Sequence, residues 1–440
     1  MKKNTKELIN YALPAVFENI LQTTVGFIDS VLIAKISLVA VSAVSLVNAI
    51  MAVYQAVFIA LAVAIATVLS NVIGAKKTEA ISETVRQSIA LSLIIGLILS
   101  ILSLILARPL LQLMGARDDI LQQSLLFFRV IAGTSFLIVL MTVLGQLVRT
   151  SGQARMPLYV NLVVNLLNFL LDLVLIFGLF GLPKLGILGA GIGTALSRLV
   201  GVLLLFRQLQ KTSNPLDGKL FSMKNNIFKS EILKRGLPIM GERLLMRVGD
   251  IVIFVIIIAY GTDIFAGNSI GETITAYNYL PAFGFATGAS ILIARAFGAR
   301  NLVEVRTLTK KSFWITAIIS TILGGILFAL APVLTVFFTA NASAVTATRV
   351  VIFISFISEP IVAGVIIYTA ALQAMGDAKT PFYATLIGMW SIRIGLAWLL
   401  GTVLGLEIWG VWLATVFDNI FRLIVLKLKY EHRIKNQNIN

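Results

Sequence analysis

The chain has 440 residues, of which 58% are hydrophobic and only 13% are charged. Roughly a quarter of the residues in a soluble domain are charged, because its surface must face water. This composition excludes an ordinary soluble protein and indicates an integral membrane protein. The formal net charge of +16 does not indicate nucleic-acid binding, because the basic residues lie in short gaps between long apolar stretches and form no basic face interleaved with aromatics.

The first apolar segment, 8–34, is longer than the roughly 7–15-residue apolar core of a signal peptide, and we expect it to remain as a membrane helix. About 20 apolar residues cross a bilayer as a helix. By that criterion the first half of the chain contains six spans, at 8–34, 40–72, 88–107, 120–147, 157–180 and 187–209. Six more spans follow at 232–259, 268–297, 312–331, 344–372, 381–404 and 406–428.

These twelve spans predict an all-α integral membrane protein with a six-helix lobe at 1–209 and a second at 232–428. A hydrophilic linker at 210–231 joins the lobes, and a hydrophilic tail at 429–440 ends the chain. Alternate loops hold nearly all the lysines and arginines, whereas the opposite loops hold only Lys35, Arg108, Arg117 and Lys184. The positive-inside rule therefore predicts a multi-pass protein of the cell (inner) membrane with linker, tail and both termini in the cytoplasm.

The two lobes repeat one another in sequence. Pairs of matching residues are separated by 224 positions: Pro14 and Pro238, Glu18 and Glu242, Gly74 and Gly298, Pro157 and Pro381. After a shift of three residues, Gly189 and Thr194 match Gly410 and Thr415. Because each lobe has an even number of spans, the repeats are parallel. Transporters of this design bind substrate between their repeats near the bilayer midplane, and a monomer suffices for one repeat to rock against the other.

Several of these residues, taken in order, resemble the multidrug and toxic compound extrusion (MATE) transporters. The resemblance rests on Pro14 with Asp29, Gly74-Ala75, the Gly152–Pro157 loop, Asn168-x-x-x-Asp172, and Gly189-Ala190-Gly191 leading to Thr194. It covers nearly the whole chain and implies two lobes that form a V-shaped central cleft. It also implies an antiporter that uses a proton or sodium gradient to export amphipathic, often cationic, compounds.

Ionisable residues inside membrane spans are costly and mark functional sites by default. Asn168 and Asp172 are four residues apart and share one helix face. With Asp29 they would form an oxygen-lined cavity for a proton or Na⁺, because carboxylates close together in a low dielectric cannot both stay ionised without a cation. The resemblance assigns Asp29, Asn168, Asp172 and Thr194 to the cation site of the N-terminal lobe. Alternatively, Asp29 and Asp172 pair with Arg129 or Arg198 to hold helices together.

A second proton or substrate site is predicted from charged residues elsewhere in the spans, namely Glu18, Glu242, Arg247, Asp250 and Glu359. Glu18 is alternatively a helix-entry carboxylate near the water interface. The sodium-coupled members carry a cation site in the C-terminal lobe, but Glu242 and Glu359 do not align with its acidic positions. A structural ion-pair network or an anion contact is therefore the favoured interpretation of the arginines in this lobe.

Small residues and aromatics complete the pattern. The stretch Gly189–Gly193 and the pair Gly284 and Gly288 are interpreted as close helix packing rather than a nucleotide-binding loop. Tyr54, Tyr279 and Phe283 are candidates for stacking on cationic substrates, with lipid contact as the alternative.

The favoured function is cation-coupled antiport with no cofactor beyond the coupling ion. The alternative is a flippase for lipid-linked oligosaccharide or a related lipid-like substrate, because arginines suit pyrophosphate head groups. An enzyme is not expected. The chain has no cysteine, no H-E-x-x-H and no paired catalytic aspartates, and its single histidine, His432, lies in the tail. A channel is disfavoured by the duplicated two-lobe design.

Overall fold

The computed structural model describes residues 2–216 and 227–437, and within these ranges the secondary structure is helical. Residues 217–226 of the predicted linker and residues 438–440 of the predicted tail lie outside the described residues. The first half contains helices α1 (Lys2–Ala34), α2 (Leu38–Gly74), α3 (Thr78–Leu113), α4a (Asp118–Gly133), α4b (Ser135–Thr150), α5 (Met156–Phe177) and α6 (Ile187–Leu209).

The second half contains helices α7 (Ile227–Ile258), α8 (Thr262–Gly298), α9 (Leu302–Phe338), α10 (Ala342–Ala374), α11 (Lys379–Val403) and α12 (Glu407–Gln437). Among the described helices, nine are long and apolar enough to cross a membrane, and ten are when α4a and α4b count as one broken span. Helices α7 and α12 carry more charge, and with them the predicted twelve membrane helices are confirmed.

The helices differ from the predicted spans in their ends and in one break. Most are longer than predicted, because both ends extend beyond the apolar core into hydrophilic residues. The span predicted at 120–147 is bent by 41° at Thr134, between α4a and α4b. Helix α11 also departs from regular α-helix, since it contains π-helical turns at Gly388–Arg393 and Ala397–Val403.

The chain divides into two compact units. The N-terminal unit comprises Phe17–Lys234, and the C-terminal unit comprises Arg235–Asn440 together with Met1–Val16. Helix α1 therefore belongs to both units, because its first half groups with the C-terminal residues. The sequence-based boundary placed all of α1 in the N-terminal lobe. The predicted cleft between the lobes stays a prediction.

Glycines of α8 hold the start of α1 within the C-terminal unit. A Cβ atom at Gly284 would lie 2.7 Å from the backbone nitrogen of Val16, and one at Gly288 would lie 2.9 Å from that of Ala12. About two turns further along α8, the Arg295 guanidinium lies over the Tyr11 ring, 5.4 Å from its centroid. These close backbone approaches agree with the interpretation of the two glycines as packing residues.

Gly284→Ala is expected to lower the free energy of unfolding by about 1–3 kcal/mol, because its methyl group meets backbone atoms of α1 that cannot rotate away. Thermal unfolding of the detergent-purified protein measures this effect. Gly395→Ala is the matched control, since a Cβ at that position meets no atom within 4 Å. Equal unfolding midpoints for the two variants would contradict this account of the contact.

Candidate ion-coupling site

The polar residues of α5 and α6 in the N-terminal unit form one connected cluster. Asn168 and Asp172 lie one turn apart on α5, with exposed fractions of 6% and 2%. The Asn168 amide nitrogen donates to Asp172 Oδ1 at 3.2 Å and to Thr194 Oγ1 at 3.4 Å. The Thr194 hydroxyl donates to the Ala190 carbonyl at 2.9 Å, which leaves its oxygen free to accept. Three of the four predicted cation-site residues are thus brought together.

Glycines on α6 make room for this cluster. A Cβ atom at Gly189 would lie 2.7 Å from the Leu175 carbonyl, and one at Gly201 would lie 2.7 Å from Val164 Cγ2. Between them, a Cβ at Gly193 would clash with the Asp172 carboxylate itself. The glycine-rich stretch therefore packs against α5, as its interpretation as a helix-packing segment requires.

Asp29 on α1 is the fourth predicted residue, and one of its oxygens has no partner. Oδ1 is buried without a hydrogen bond to any described residue. The carboxylate interacts electrostatically with Asp172 and with the Arg198 guanidinium on α6. Arg198 Nη1 is also buried without a hydrogen-bond partner in the described chain. Arg129, the other predicted partner, is exposed.

Within the described residues, no salt bridge of 4 Å or less joins Asp29 or Asp172 to a basic side chain. The alternative in which these aspartates form structural ion pairs is therefore limited to a longer-range attraction between Asp29 and Arg198. Sequence analysis also missed Asn165, whose buried side-chain nitrogen lacks a partner in this part of the chain. Its spacing before Asn168 and Asp172, three and seven residues, places it on their helix face.

Two nearby carboxylates with an orphan oxygen can be satisfied chemically by a proton or by a cation. For Na⁺, the available oxygens are those of Asp29, Asp172, the Asn168 amide and the Thr194 hydroxyl, which are hard ligands suited to a hard cation. Among the described residues, no cluster joins three or more acidic or histidine side chains that could hold a metal ion.

Glu18 lies in a partly buried ion pair that was not predicted from the sequence. One carboxylate oxygen forms a close salt bridge with Arg149, and the other accepts a hydrogen bond from Asn161 at 2.6 Å. Arg149 was assigned to a cytoplasmic loop, but it lies in the last turn of α4b with an exposed fraction of only 3%. The sequence shows a basic residue at the end of a long apolar run, which was the available signal. It does not show the direction of that side chain, which is what places Arg149 beside Glu18.

The C-terminal unit contains a larger network of ion pairs. Arg393 donates from Nε to Thr415 Oγ1 at 3.0 Å, and its Nη1 lies 3.7 Å from Asp250 Oδ1. Arg422 contacts both oxygens of Asp418, at 2.9 and 3.0 Å. Asp250 therefore pairs with Arg393 on α11, and its predicted neighbour Arg247 interacts with it only at longer range.

Thr194 and Thr415 occupy matching positions in the two sequence repeats but bind different partners. Thr194 accepts from the neutral amide of Asn168, whereas Thr415 accepts from the Arg393 guanidinium. The C-terminal unit thus contains a permanent positive charge where the N-terminal unit contains a neutral group. This difference favours the interpretation of Arg393 and Asp250 as a structural ion pair.

Two further carboxylates of the C-terminal unit have neutral partners. Glu359 on α10 is 2% exposed and hydrogen-bonded to Asn278, and Gly324 of α9 packs against it. Glu272 on α8 accepts from Asn268 at 3.2 Å, and the Asn268 oxygen accepts from the Trp412 indole at 2.9 Å. Sequence analysis missed Glu272, although it is an ionisable residue within the span predicted at 268–297.

The candidate substrate aromatics have different surroundings. The Tyr54 hydroxyl is 2.7 Å from Ser103 Oγ, and its ring makes an edge contact with Phe58, with centroids 6.3 Å apart. Tyr279 and Phe283 are neighbours on α8, with centroids 6.5 Å apart, and Phe283 is 47% exposed. Tyr54 is therefore anchored inside its own unit, whereas Phe283 is free to meet lipid or substrate.

The repeated helices and the polar cluster of α1, α5 and α6 are features of a membrane transporter built from two repeats. The MatE family model matches residues 14–174 and again 238–399, so the chain belongs to the MatE family of multidrug and toxic compound extrusion (MATE) transporters. The two matched segments coincide with the two sequence repeats. The family is one of transporters rather than enzymes.

The curated relatives include multidrug resistance proteins. The chain is 28% identical over 439 residues to the probable multidrug resistance protein NorM of Thermotoga maritima, covering 97% of this chain and 93% of that protein. It is also 28% identical to the uncharacterized transporter YisQ of Bacillus subtilis over 337 residues, covering 74% of this chain and 72% of YisQ.

Solved structures share the fold. The crystal structure of MATE in complex with MaL6 matches with a TM-score of 0.91 at 22% identity, over 99% of this chain and 98% of that chain. A MOP superfamily transporter from Pyrococcus furiosus, described as having a binding pocket of reverse polarity, matches with a TM-score of 0.89 at 23% identity, over 99% and 97% of the two chains.

Gly193→Ala is expected to displace the Asp172 carboxylate and to lower gradient-driven transport at least tenfold with little loss of stability. The added methyl group meets the movable end of a side chain, so the carboxylate rather than the helix shifts. Dye efflux and thermal unfolding of the same preparation measure both effects. Gly145→Ala is the control, because its Cβ makes an ordinary 3.8 Å contact with Pro157. Unchanged efflux in Gly193→Ala would refute the role given to this carboxylate.

Removal of one partner from the Glu18–Arg149 pair is expected to cost about 3–5 kcal/mol of unfolding free energy, because the other charge is left buried and unpaired. Glu18→Gln and Arg149→Gln test the two single losses. The double variant removes both charges and is expected to be more stable than Glu18→Gln alone. Chemical denaturation in detergent measures all three, and strictly additive losses would mean that the two side chains are not coupled.

Proposed function

We propose that this protein is a cation-coupled antiporter that exports amphipathic, often cationic, compounds by alternating access. The observation that carries the proposal is the orphan carboxylate oxygen of Asp29 beside Asp172, in a cluster with no close basic partner among the described residues. The relatives named as multidrug resistance proteins support export as the direction of transport and drug-like compounds as the substrates.

In the proposed cycle, the charge state of this cluster biases the position of α1. Asp29 lies on α1, whereas Asp172 lies on α5, so repulsion between the two carboxylates acts between helices. Uptake of a proton or Na⁺ removes this repulsion and lets the helices approach, and release restores it. Asn168 and Thr194 orient the Asp172 side of the cluster through their hydrogen bonds.

Helix α1 connects this cation site to the rest of the transporter. Its first half groups with the C-terminal unit and its second half with the N-terminal unit. A displacement of α1 at Asp29 therefore acts on a helix that both units share. This continuity supports coupling of ion binding to a rearrangement of the two units.

We further propose that the protein acts as a monomer in the cell (inner) membrane, with both termini in the cytoplasm. The asymmetry of basic residues between alternate loops supports this orientation. The exposed ring of Phe283, next to Tyr279, supports stacking of an amphipathic cation on α8. The comparisons do not favour the alternative of a flippase for lipid-linked substrates, and the transport experiment separates the two.

Efflux of ethidium from proteoliposomes under an imposed proton gradient or an imposed sodium gradient tests this function. Wild type is expected to transport under one of the two gradients, which identifies the coupling ion. Asp29→Asn and Asp172→Asn are each expected to lower gradient-driven efflux at least tenfold, because the amide cannot take up the ion. Asp119→Asn, in the exposed first turn of α4a, is the control and is expected to leave efflux unchanged.

Full transport by both aspartate variants would refute their assigned roles. A folded wild-type protein that transports ethidium under neither gradient would refute the antiport proposal and favour the lipid-linked alternative.

A further inference from the structure

The two sequence repeats share a three-residue hydrogen-bonding pattern around a glutamate, which is partly buried in the first repeat and buried in the second. In the N-terminal unit, Glu18 of α1 accepts hydrogen bonds from Arg149 and Asn161, which lie 131 and 143 positions later in the chain. In the C-terminal unit, Glu242 of α7 is also bound by a residue 131 positions later, Gln373. Thr385, which is 143 positions after Glu242 in the sequence, completes the second triad with a side-chain hydrogen bond.

Each triad is therefore assembled from the same three helices of its repeat. The glutamate comes from the first helix, one partner from the last turn of the fourth helix, and the other from the start of the fifth. In the second triad, the Gln373 amide donates to Glu242 Oε2 at 3.1 Å. Glu242, Gln373 and Thr385 are 8%, 7% and 2% exposed.

The two triads differ in charge. Glu18 is bound by the guanidinium of the buried Arg149, whose positive charge would be left unpaired without this carboxylate. Glu242 is bound instead by an amide and a hydroxyl, which can satisfy either the ionised or the protonated carboxyl group. No basic group of the described chain forms a salt bridge with Glu242 within 4 Å.

The charges that face Glu242 from neighbouring helices act at longer range. They are Arg243 on its own helix and Arg422 on α12, while α10 and α11 contribute the neutral Gln373 and Thr385. Arg422 is already bound to both oxygens of Asp418 and to Asn419. Its positive charge is thus largely compensated by these partners. Arg243 acts on Glu242 electrostatically but forms no salt bridge with it within 4 Å in the described chain, so the hydrogen-bonding partners of the Glu242 carboxyl group are the neutral Gln373 and Thr385.

We propose that Glu242 is an exchangeable proton site of the C-terminal unit, whereas Glu18, its counterpart in the first repeat, forms an ion pair with Arg149. The connection between α10 and α11 lies within two helical turns of the triad and belongs to the loops predicted to be cytoplasmic. Glu242 therefore exchanges its proton with the cytoplasm. The role of this proton in the transport cycle rests on the proposed antiport function.

Infrared difference spectroscopy of the purified protein, between acidic and alkaline buffer, detects the C=O stretching band of a carboxyl group that gains a proton. Wild type is expected to show such a band for Glu242, and Glu242→Gln is expected to lose it. The double variant Gln373→Arg/Thr385→Asn introduces the partners found in the first repeat. It is expected to lose the same band with Glu242 still present, because the introduced guanidinium holds the carboxylate ionised.

The reciprocal exchange tests, in the N-terminal unit, whether the partners of the glutamate decide if it takes up a proton. Arg149→Gln/Asn161→Thr gives Glu18 the neutral partners of Glu242 and is expected to produce one additional titrating band. Removal of that band by a further Glu18→Gln change would support the proposal. A band unchanged in both Glu242→Gln and Gln373→Arg/Thr385→Asn would overturn it, and so would the absence of any titrating carboxyl band in folded wild-type protein.

These spectra require no transport, so the result is separable from the fate of the proposed antiport. Asp29→Asn and Asp172→Asn are expected to retain the Glu242 band, because these residues belong to the other unit. Suppose that wild type transports no ethidium, while the Glu242 band is lost in Gln373→Arg/Thr385→Asn and the additional band is present in Arg149→Gln/Asn161→Thr. In that case the antiport proposal fails and the proton site stands. With efflux intact, Glu242→Gln is expected to flatten the dependence of the efflux rate on cytoplasmic-side pH, and an unchanged profile would overturn its role in transport.

Discussion

An ionisable side chain buried in an apolar helix bundle must find a compensating partner, and the arrangement of polar residues in this protein follows from that constraint. Some carboxylates are paired with arginines inside the chain, such as Glu18 with Arg149 and Asp418 with Arg422. The first pair joins two helices and the second lies within α12, and each provides its carboxylate with an internal cation. The Asp29 and Asp172 cluster has no pair of this kind among the described residues, and the proposed uptake of a coupling ion rests on that difference.

The duplicated sequence makes this distinction visible, because each repeat acts as a reference for the other. Thr194 and Thr415 match in position, yet one accepts from an amide and the other from a guanidinium. At the matching glutamates the difference is reversed, since the arginine lies in the first repeat and the neutral amide in the second. Of these two matched sites, each unit has one with an arginine partner and one with a neutral partner. The arginine is at the glutamate in the N-terminal unit and at the threonine in the C-terminal unit.

Close helix packing is what allows these polar groups to be buried at all. The glycines of α6 let Asp172 lie against a neighbouring helix, and Gly388 in the π-helical part of α11 does the same for Asp418 and Arg422. A carboxylate in such a position is surrounded by protein rather than lipid. Its hydrogen bonds are then defined by a few side chains on adjacent helices.

The amino-acid sequence by itself determined the membrane class, the helix positions and the duplication, because apolar length and constant spacing are local properties. It also predicted Asp29 and Asp172 as candidate site residues, since charge within an apolar span is rare. Only the tertiary structure revealed Arg149 as the partner of Glu18 and the division of α1 between two units. Those features depend on side-chain direction and on contacts between residues distant in the chain, and helical periodicity specifies neither.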